Sequence, residues 1–308
     1  MGNIVLQAGG FYNREILTLP ILWQIFVAEA TRFPEKCGIL YPKMRNDTEE
    51  PTMKQPAQTT YKNILQRAGA VLLALAVWQI LAMNVDQQLL VPTPLSVVLR
   101  LGTIWQEADF WATVWFTFRK IVAGFLLGLG FGLGLGALAG RFPLFEILFR
   151  PWAVMIKSIP VASFIIICLI WMSSSQLSVF ISFLMVLPII YTNVLQSVRS
   201  ADQQLLEAVG IFRLSWPKRV LFLWLPQLKP YLLSACTVSL GISWKAGIAA
   251  EIIGIPVGSI GRMFYDAKVY FNTVDLFAWT VIVVVISVLF EKGFLALLKW
   301  AFGRLETV

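Results

Sequence analysis

Apolar runs of about twenty residues alternate with short polar segments along most of this chain, and six of them have the length of a helix crossing hydrocarbon. They fall at about 64–83 (ILQRAGAVLLALAVWQILAM), 117–139 (TFRKIVAGFLLGLGFGLGLGALA), 151–172 (opening PWAVMIKSIP), 176–198, 229–253 and 275–298. Between the first two, 94-PLSVVLRLGTIWQEADFW-111 is amphipathic and reads as a helix lying along the outer surface. The second run repeats Gly124, Gly128, Gly132, Gly136 and Gly140 every four residues, with Gly130 and Gly134 between them. One helix face is thereby almost bare backbone, which predicts close packing against another helix; a glycine strip lining a pore is the other reading. Pro160 and Pro188 each free a backbone carbonyl and predict kinks, read as packing features with a hinge as the alternative.

The first sixty residues break the pattern. The segment 16-ILTLPILWQIFVAEA-30 is apolar but short, contains Pro20 and Glu29, and has no signal-peptide cleavage pattern. Residues 42–60 are polar and rich in Pro, Thr and Gln, the composition of a linker. The expected organisation is therefore a poorly structured extension over 1–60 and a transmembrane domain over 61–308. Met53 or Met44 is the expected true start, the preceding residues being a mis-assigned upstream extension; a short interfacial helix is the alternative.

Composition turns the runs into a class. The chain has 58% hydrophobic and 14% charged residues and a mean hydropathy of +0.74, against about 25% charged residues in soluble domains. That is too little polar surface for a water-soluble globule, and the fold class is an all-α polytopic membrane protein. The net charge of +8 does not point to nucleic acid, because the basic residues flank the spans. With the N-terminus inside, fourteen Lys and Arg fall on inner flanks and five (Arg100, Arg119, Lys120, Arg262, Lys268) on outer ones, leaving out Lys245 and residues 1–52. The bias predicts both termini on the cytoplasmic side. Cys37, Cys168 and Cys236 have no CxxC spacing, and there is no histidine, so neither a zinc site nor a histidine-based triad is expected. No cofactor is implied.

The longest inward loop is 199-RSADQQLLEAVGIFRLSWPKRVLFLWLP-226. Leu205, Leu206, Val209 and Phe212 recur at helical spacing, so a short helix with one greasy side is expected at the cytoplasmic surface, able to dock in a partner's groove. Resting on lipid headgroups is the plainer alternative. The loop resembles the EAA loop of ATP-binding-cassette importer permeases of the binding-protein-dependent type. That pattern runs E-A-A, three residues, Gly, nine residues, then I-x-L-P. Glu207, Ala208 and Val209 take the first places, Arg213 stands in the Gly place, and Leu223, Leu225 and Pro226 fall in register with the close. Further stretches are similar to the nitrate/sulfonate/taurine-type branch: 90-LVPTPLSVV-98, the glycine-rich run, 157-KSIPVASF-164, 241-GISWKAGIAAEIIG-254 and 258-GSIGRMFYDAKVYFNT-273.

The resemblance, over roughly residues 60–302, implies a type I importer fold of about six transmembrane helices in the bacterial inner membrane. It implies a homodimer of permease copies, two copies of a cytoplasmic ATPase on the loop 199–227, and an extracytoplasmic solute-binding protein. Leu206, Glu207, Ala208, Val209, Phe212, Arg213 and Pro226 would carry the coupling, with Glu207 pairing to a basic residue of the ATPase. The solute would be a small anion such as nitrate, a sulfonate or taurine, or a small organic solute; some relatives handle pyrimidine precursors of thiamine. No G-x-x-x-x-G-K-[ST] phosphate loop occurs, so ATP hydrolysis is expected in the partner.

Lys245 and Glu251 lie within the fifth span, where ionisable groups are costly and face a cavity or a partner. Six residues apart, they stand about 120° apart on a helix, a poor intrahelical pair. Lys245 is a candidate for drawing an anion along the translocation path and Glu251 its companion there. A structural ion pair with another span, or snorkelling, is the alternative. Two rival functions remain. A gradient-driven transporter or channel would want repeated halves and charges in several spans. An intramembrane enzyme would want a nucleophile with a base, or paired carboxylates.

Overall fold

The computed structural model describes residues 58–84, 91–201, 215 and 219–306. The chain divides into two units, Met1–Asn63 and Ile64–Val308, and the membrane bundle belongs to the second. Most of the predicted extension, 1–57, lies outside the described residues, as does the core of the predicted coupling loop.

Nine α-helices are described: α1 Gln58–Asn84, α2 Pro94–Ile104, α3 Phe110–Arg141, α4 Pro143–Ser158, α5 Val161–Cys168, α6 Ser174–Arg199, α7 Leu225–Gly254, α8 Ile260–Val269 and α9 Thr273–Glu306. Four of them are long and apolar enough to cross a membrane (α3, α6, α7 with its preceding turn, and α9), and the pair α4–α5, bent by 103°, makes a fifth when taken as one. The described apolar part of α1, Leu72–Met83, is shorter than a crossing. About six spans were expected; among the described residues four to five are shown. The surface helix expected over 94–111 stops at Ile104. After a turn the chain is already in α3 at Phe110, seven residues ahead of the expected start of the second span.

The glycine stripe explains the core. A Cβ on Gly128, Gly132 or Gly136 would lie 2.7 Å from the Cβ of Val186, Ile190 or Val194, and one on Gly140 would lie 2.6 Å from Val198 Cγ1. Each glycine faces the residue 58 positions further on, and the offset does not drift over three turns. Helices α3 and α6 therefore run in the same direction, backbone against β-branched side chains, the close approach that small residues permit in lipid. Gly130 and Gly134 face the other way, with nothing within 4 Å of an added Cβ. They floor a groove of about 400 Å³ lined by Leu126, Leu127, Phe131 and Leu138.

Helix α7 runs antiparallel to α6. Gln227 Nε2 donates to Ser197 O at one end (2.9 Å) and Ser182 Oγ to Ser243 O further along (3.1 Å). Helix α9 runs parallel to α3 through a ladder of aromatic pairs, Phe110–Trp279, Phe118–Phe290 and Phe125–Phe294, at centroid distances of 5.5, 5.5 and 5.0 Å.

Because α3 and α6 are parallel, the chain between them must return across the bundle, and α4–α5 is that return. Glu146 in the first turn of α4 forms an ion pair with Arg199 at the end of α6. Ile165 and Cys168 of α5 pack with Leu177 and Ile181, near the start of α6. The third predicted span is thus a crossing but not one continuous helix. Pro160 has no N–H to continue α4, Ile159 is extended (φ −75°, ψ 130°), and Pro160 opens α5. Pro188, by contrast, stays inside an unbroken α6.

Two ends follow from these registers. One end holds Asp275, Gly254 and the start of α6; the other holds Arg199, the start of α7 and the end of α9.

Candidate functional site

The residues expected to meet the ATPase fall at the Arg199 end. Leu206, Glu207, Ala208, Val209, Phe212 and Arg213 lie outside the described residues. Their flanks do not: α6 ends at Arg199, capped by Ser200, and helical backbone resumes at Arg219. Residues Val220–Trp224 form a π-helical turn that runs straight into α7, so the last part of the expected loop is already helix. The reason is local. Pro226, exposed near the start of α7, has no N–H to offer the carbonyl four residues back, and the ladder shifts so that Leu225 N–H reaches Val220 O, five residues back. Both stems of the segment 199–227 thus leave from one end of the bundle.

Lys245 and Glu251 have separate surroundings. Lys245 is exposed on α7, and no carboxylate of the described residues lies within ion-pair distance of it. Glu251 is fully buried, 0% exposed. Its Oε2 accepts from Thr117 Oγ1 at 2.7 Å and from Gly261 N at 3.3 Å, and Thr117 Oγ1 in turn accepts from Ile260 N at 3.0 Å. The carboxyl group and the threonine together cap the start of α8, whose N-cap Ser259 accepts from Arg262 N at 3.1 Å. The elbow between α7 and α8 turns through Ile255 (φ 49°) and Gly258 (φ 76°), both left-handed. Gly261 is forced by space: a Cβ there would lie 2.6 Å from Ile252 N.

Sequence reasoning missed Thr117. It stands 134 positions from Glu251, and no local pattern links the two. Ser259 ahead of Ile260 was a legible helix start.

At the Asp275 end two of the cations, Arg100 and Arg262, have carboxylate partners. Arg100 bridges Asp275 and Glu107, docking α2 on the start of α9, and Arg262 pairs with Asp266 at 3.6 Å. The hydrogen bond to Asp275 raises the pKa of Arg100 above its ordinary value, so the guanidinium stays charged. The Arg199 end carries Arg141, Arg150, Arg199, Arg219, Lys229, Lys299 and Arg304.

Residues 128–300, more than half the chain, match the family described as the binding-protein-dependent transport system inner membrane component. The putative aliphatic sulfonates transport permease of Bacillus subtilis is 27% identical over 249 residues, 79% of this chain and 88% of that protein. The taurine transport system permease of Escherichia coli is 24% identical over 236 residues, 74% of this chain and 86% of that one. The bicarbonate transport system permease of Synechococcus elongatus is 24% identical over 269 residues, 83% and 95% of the two chains. In this family, ATP hydrolysis belongs to a separate subunit and a solute-binding protein completes the system, so the reading as a gradient-driven carrier gives way. The chain belongs to the binding-protein-dependent transport system inner membrane components: it is a multi-pass permease subunit of an ABC importer, of the nitrate/sulfonate/taurine-like branch.

Proposed function

We propose that two copies of this chain line the importer's path, that each copy receives one ATPase subunit on its segment 199–227, and that the Arg199 end, with both termini, faces the cytoplasm. The observation that carries this is the geometry of that segment: both its stems leave the bundle at the end that carries Arg141, Arg150, Arg199, Arg219, Lys229, Lys299 and Arg304. The positive-inside rule then assigns the basic end to the cytoplasm. Leu206, Glu207, Ala208, Val209, Phe212 and Arg213 form the docking element, Glu207 pairing with a basic residue of the ATPase, and Pro226 with the π turn transmits its movement into α7.

The solute is a small anion or a small organic solute with an anionic group, of the kind the relatives' names carry: a sulfonate, taurine (a zwitterion with a sulfonate group) or bicarbonate, with nitrate also in this class. Lys245 supports that reading, as an exposed ammonium within an apolar span. Glu251 serves the path indirectly, by holding α8 over its outer end.

The test is co-purification of the complex and its uptake in vesicles. Glu207→Arg is expected to abolish ATPase co-purification while the permease still inserts; retention of the ATPase on that variant removes the docking assignment. Lys245→Gln is expected to lower anion uptake at normal expression; unchanged uptake removes the lysine from the path.

A further inference from the structure

We propose that Lys157 is a second anion contact on the translocation path, in the cytoplasmic half, to which Lys245 hands the solute. The inference rests on the anion reading above and adds a residue to it.

Lys157 is the last residue but one of α4, just before the break at Ile159. It is exposed, and its Nζ lies 3.3 Å from Thr192 Oγ1 on α6. Thr192 spends its own proton on Pro188 O at 2.8 Å, so its lone pairs face the ammonium. Thr192 stands seven residues before Arg199, about 10 Å inside the end of the helix. An ammonium at that depth calls for water or an anion beside it. No carboxylate of the described residues lies within ion-pair distance.

Both lysines turn away from α3. Thr192 lies two residues from both Ile190 and Val194, which pack on Gly132 and Gly136 of α3. Two residues turn a helix by about 200°, so Thr192 and the lysine on it face away from α3. Lys245 lies two residues from Ser243, which receives the hydrogen bond of Ser182, and two from Gly247, which packs on Ile121 of α3 and on Ser182. It faces away by the same rotation. The contact of Gln227 with Ser197 sets the register of α7 against α6. Thr192 is then level with residue 232, and Lys245 is some thirteen residues, about 20 Å, further along. Exposed Ser234 lies between the two levels on α7. The bundle therefore carries two ammonium groups turned away from α3, one in each half, and Lys157 stands at the elbow of the broken crossing. A change of that elbow would move it.

The experiment uses the whole complex, permease with its ATPase and binding protein, in proteoliposomes. The probes are taurine, ethanesulfonate and bicarbonate. Lys157→Cys is made with the three native cysteines replaced by alanine. Loss of one charge contact is expected to lower uptake by about tenfold. Aminoethyl methanethiosulfonate, which restores an ammonium, is expected to recover uptake, and the neutral methyl reagent is not. The transported anion is expected to slow modification by the anionic sulfonatoethyl reagent. Uptake unchanged in the variant overturns the proposal. So does equal rescue by both reagents, which would make the site one of packing. Labelling that ignores the solute also overturns it, and assigns the lysine to lipid phosphate. A cysteine-free parent that moves none of the three anions sinks the anion reading itself; a parent that moves one of them, beside a variant that moves it equally, sinks only the role of Lys157. Should Lys157→Cys not assemble, Thr192→Val frees the lysine from its anchor: a raised KM at unchanged maximal rate supports the contact, and an unchanged KM overturns it.

Discussion

At the Asp275 end, α7 stops on a buried hydrogen-bond hub; at the Arg199 end it starts in a turn whose ladder is out of register. The first end has Glu251 and Thr117 tied to the backbone of Gly261 and Ile260, a left-handed Ile255, and the Arg100–Asp275 strap beside it. The second has the π turn Val220–Trp224 with Pro226 exposed just beyond it, and Pro230 one turn later. The contrast separates two jobs that one helix must do. One end is held against its neighbours by groups that cannot be left unpaired; the other has surrendered regular hydrogen bonds and is cheap to rearrange. A helix pinned at one end and yielding at the other turns a push at its yielding end into tilt.

The largest way to break the contrast is Glu251→Ala. It leaves Gly261 N–H and the Thr117 hydroxyl buried without their acceptor, a loss of about 3 kcal/mol from two orphaned donors. In a bundle of this size each kcal/mol moves the midpoint of unfolding by roughly 2–4 °C. A clearly lowered midpoint in fluorescence-detected size exclusion is expected. Glu251→Gln keeps an oxygen for both donors and is expected to stay close to the parent. If the glutamine variant falls as far as the alanine one, the carboxyl group does more than accept hydrogen bonds.

Gly261→Ala comes next. Its methyl group would press on the backbone of Ile252 at 2.6 Å, and backbone cannot give way as a flexible side chain does. Overpacking of this kind costs roughly 1–3 kcal/mol. The expected outcome is a lower midpoint together with faster proteolysis of the elbow 255–260. Gly134→Ala on the open face of α3, where an added Cβ meets nothing within 4 Å, is the control and is expected to leave the midpoint unchanged.

Thr117→Val is the third. It keeps shape but removes the donor to Glu251 and the acceptor for Ile260 N–H. About 1–2 kcal/mol is expected, because one buried backbone donor is orphaned while Glu251 keeps Gly261. Thr117→Ser should restore most of the loss, since the hydroxyl alone makes both bonds.

The same contrast explains what could be read from the sequence. The spans, the glycine ridge and the helix start at Ser259 are local patterns: period, spacing and cap chemistry state them directly. The four-residue glycine spacing even foretold a packed face, though only three-dimensional pairing shows that it meets Val186, Ile190 and Val194 in a parallel helix. The broken crossing was half legible, since Pro160 announced a kink but not a bend of 103°. The hub was not legible at all. Glu251 and Thr117 are joined across two helices, and a glutamate in an apolar span looks the same whether it lines a path or caps a distant helix. Lys157 was hidden for a different reason: its position near the end of an apolar run reads as a flank, and only its contact with Thr192 sets its depth.

The smallest structural effect, and the sharpest for coupling, belongs to Pro226→Ala at the yielding end. The side chain is exposed and sits near the start of α7, where a missing N–H is tolerated. The midpoint is expected to move by less than about 1 °C, the effect of a few tenths of a kcal/mol. The backbone consequence is larger than the energetic one. With an N–H restored at position 226, the carbonyl of Phe222 regains a partner four residues on, and the π turn can relax into regular α-helix. One residue fewer in that turn rotates everything before it by about 100° relative to α7, including the segment that carries Glu207. On the docking proposed above, ATP hydrolysis by the complex is then expected to persist while solute uptake per ATP falls, because the ATPase still binds but its push no longer runs along the axis of α7. Equal losses of hydrolysis and uptake would mean instead that the π turn shapes the docking surface itself, and equal retention of both would leave the irregular turn without a part in coupling.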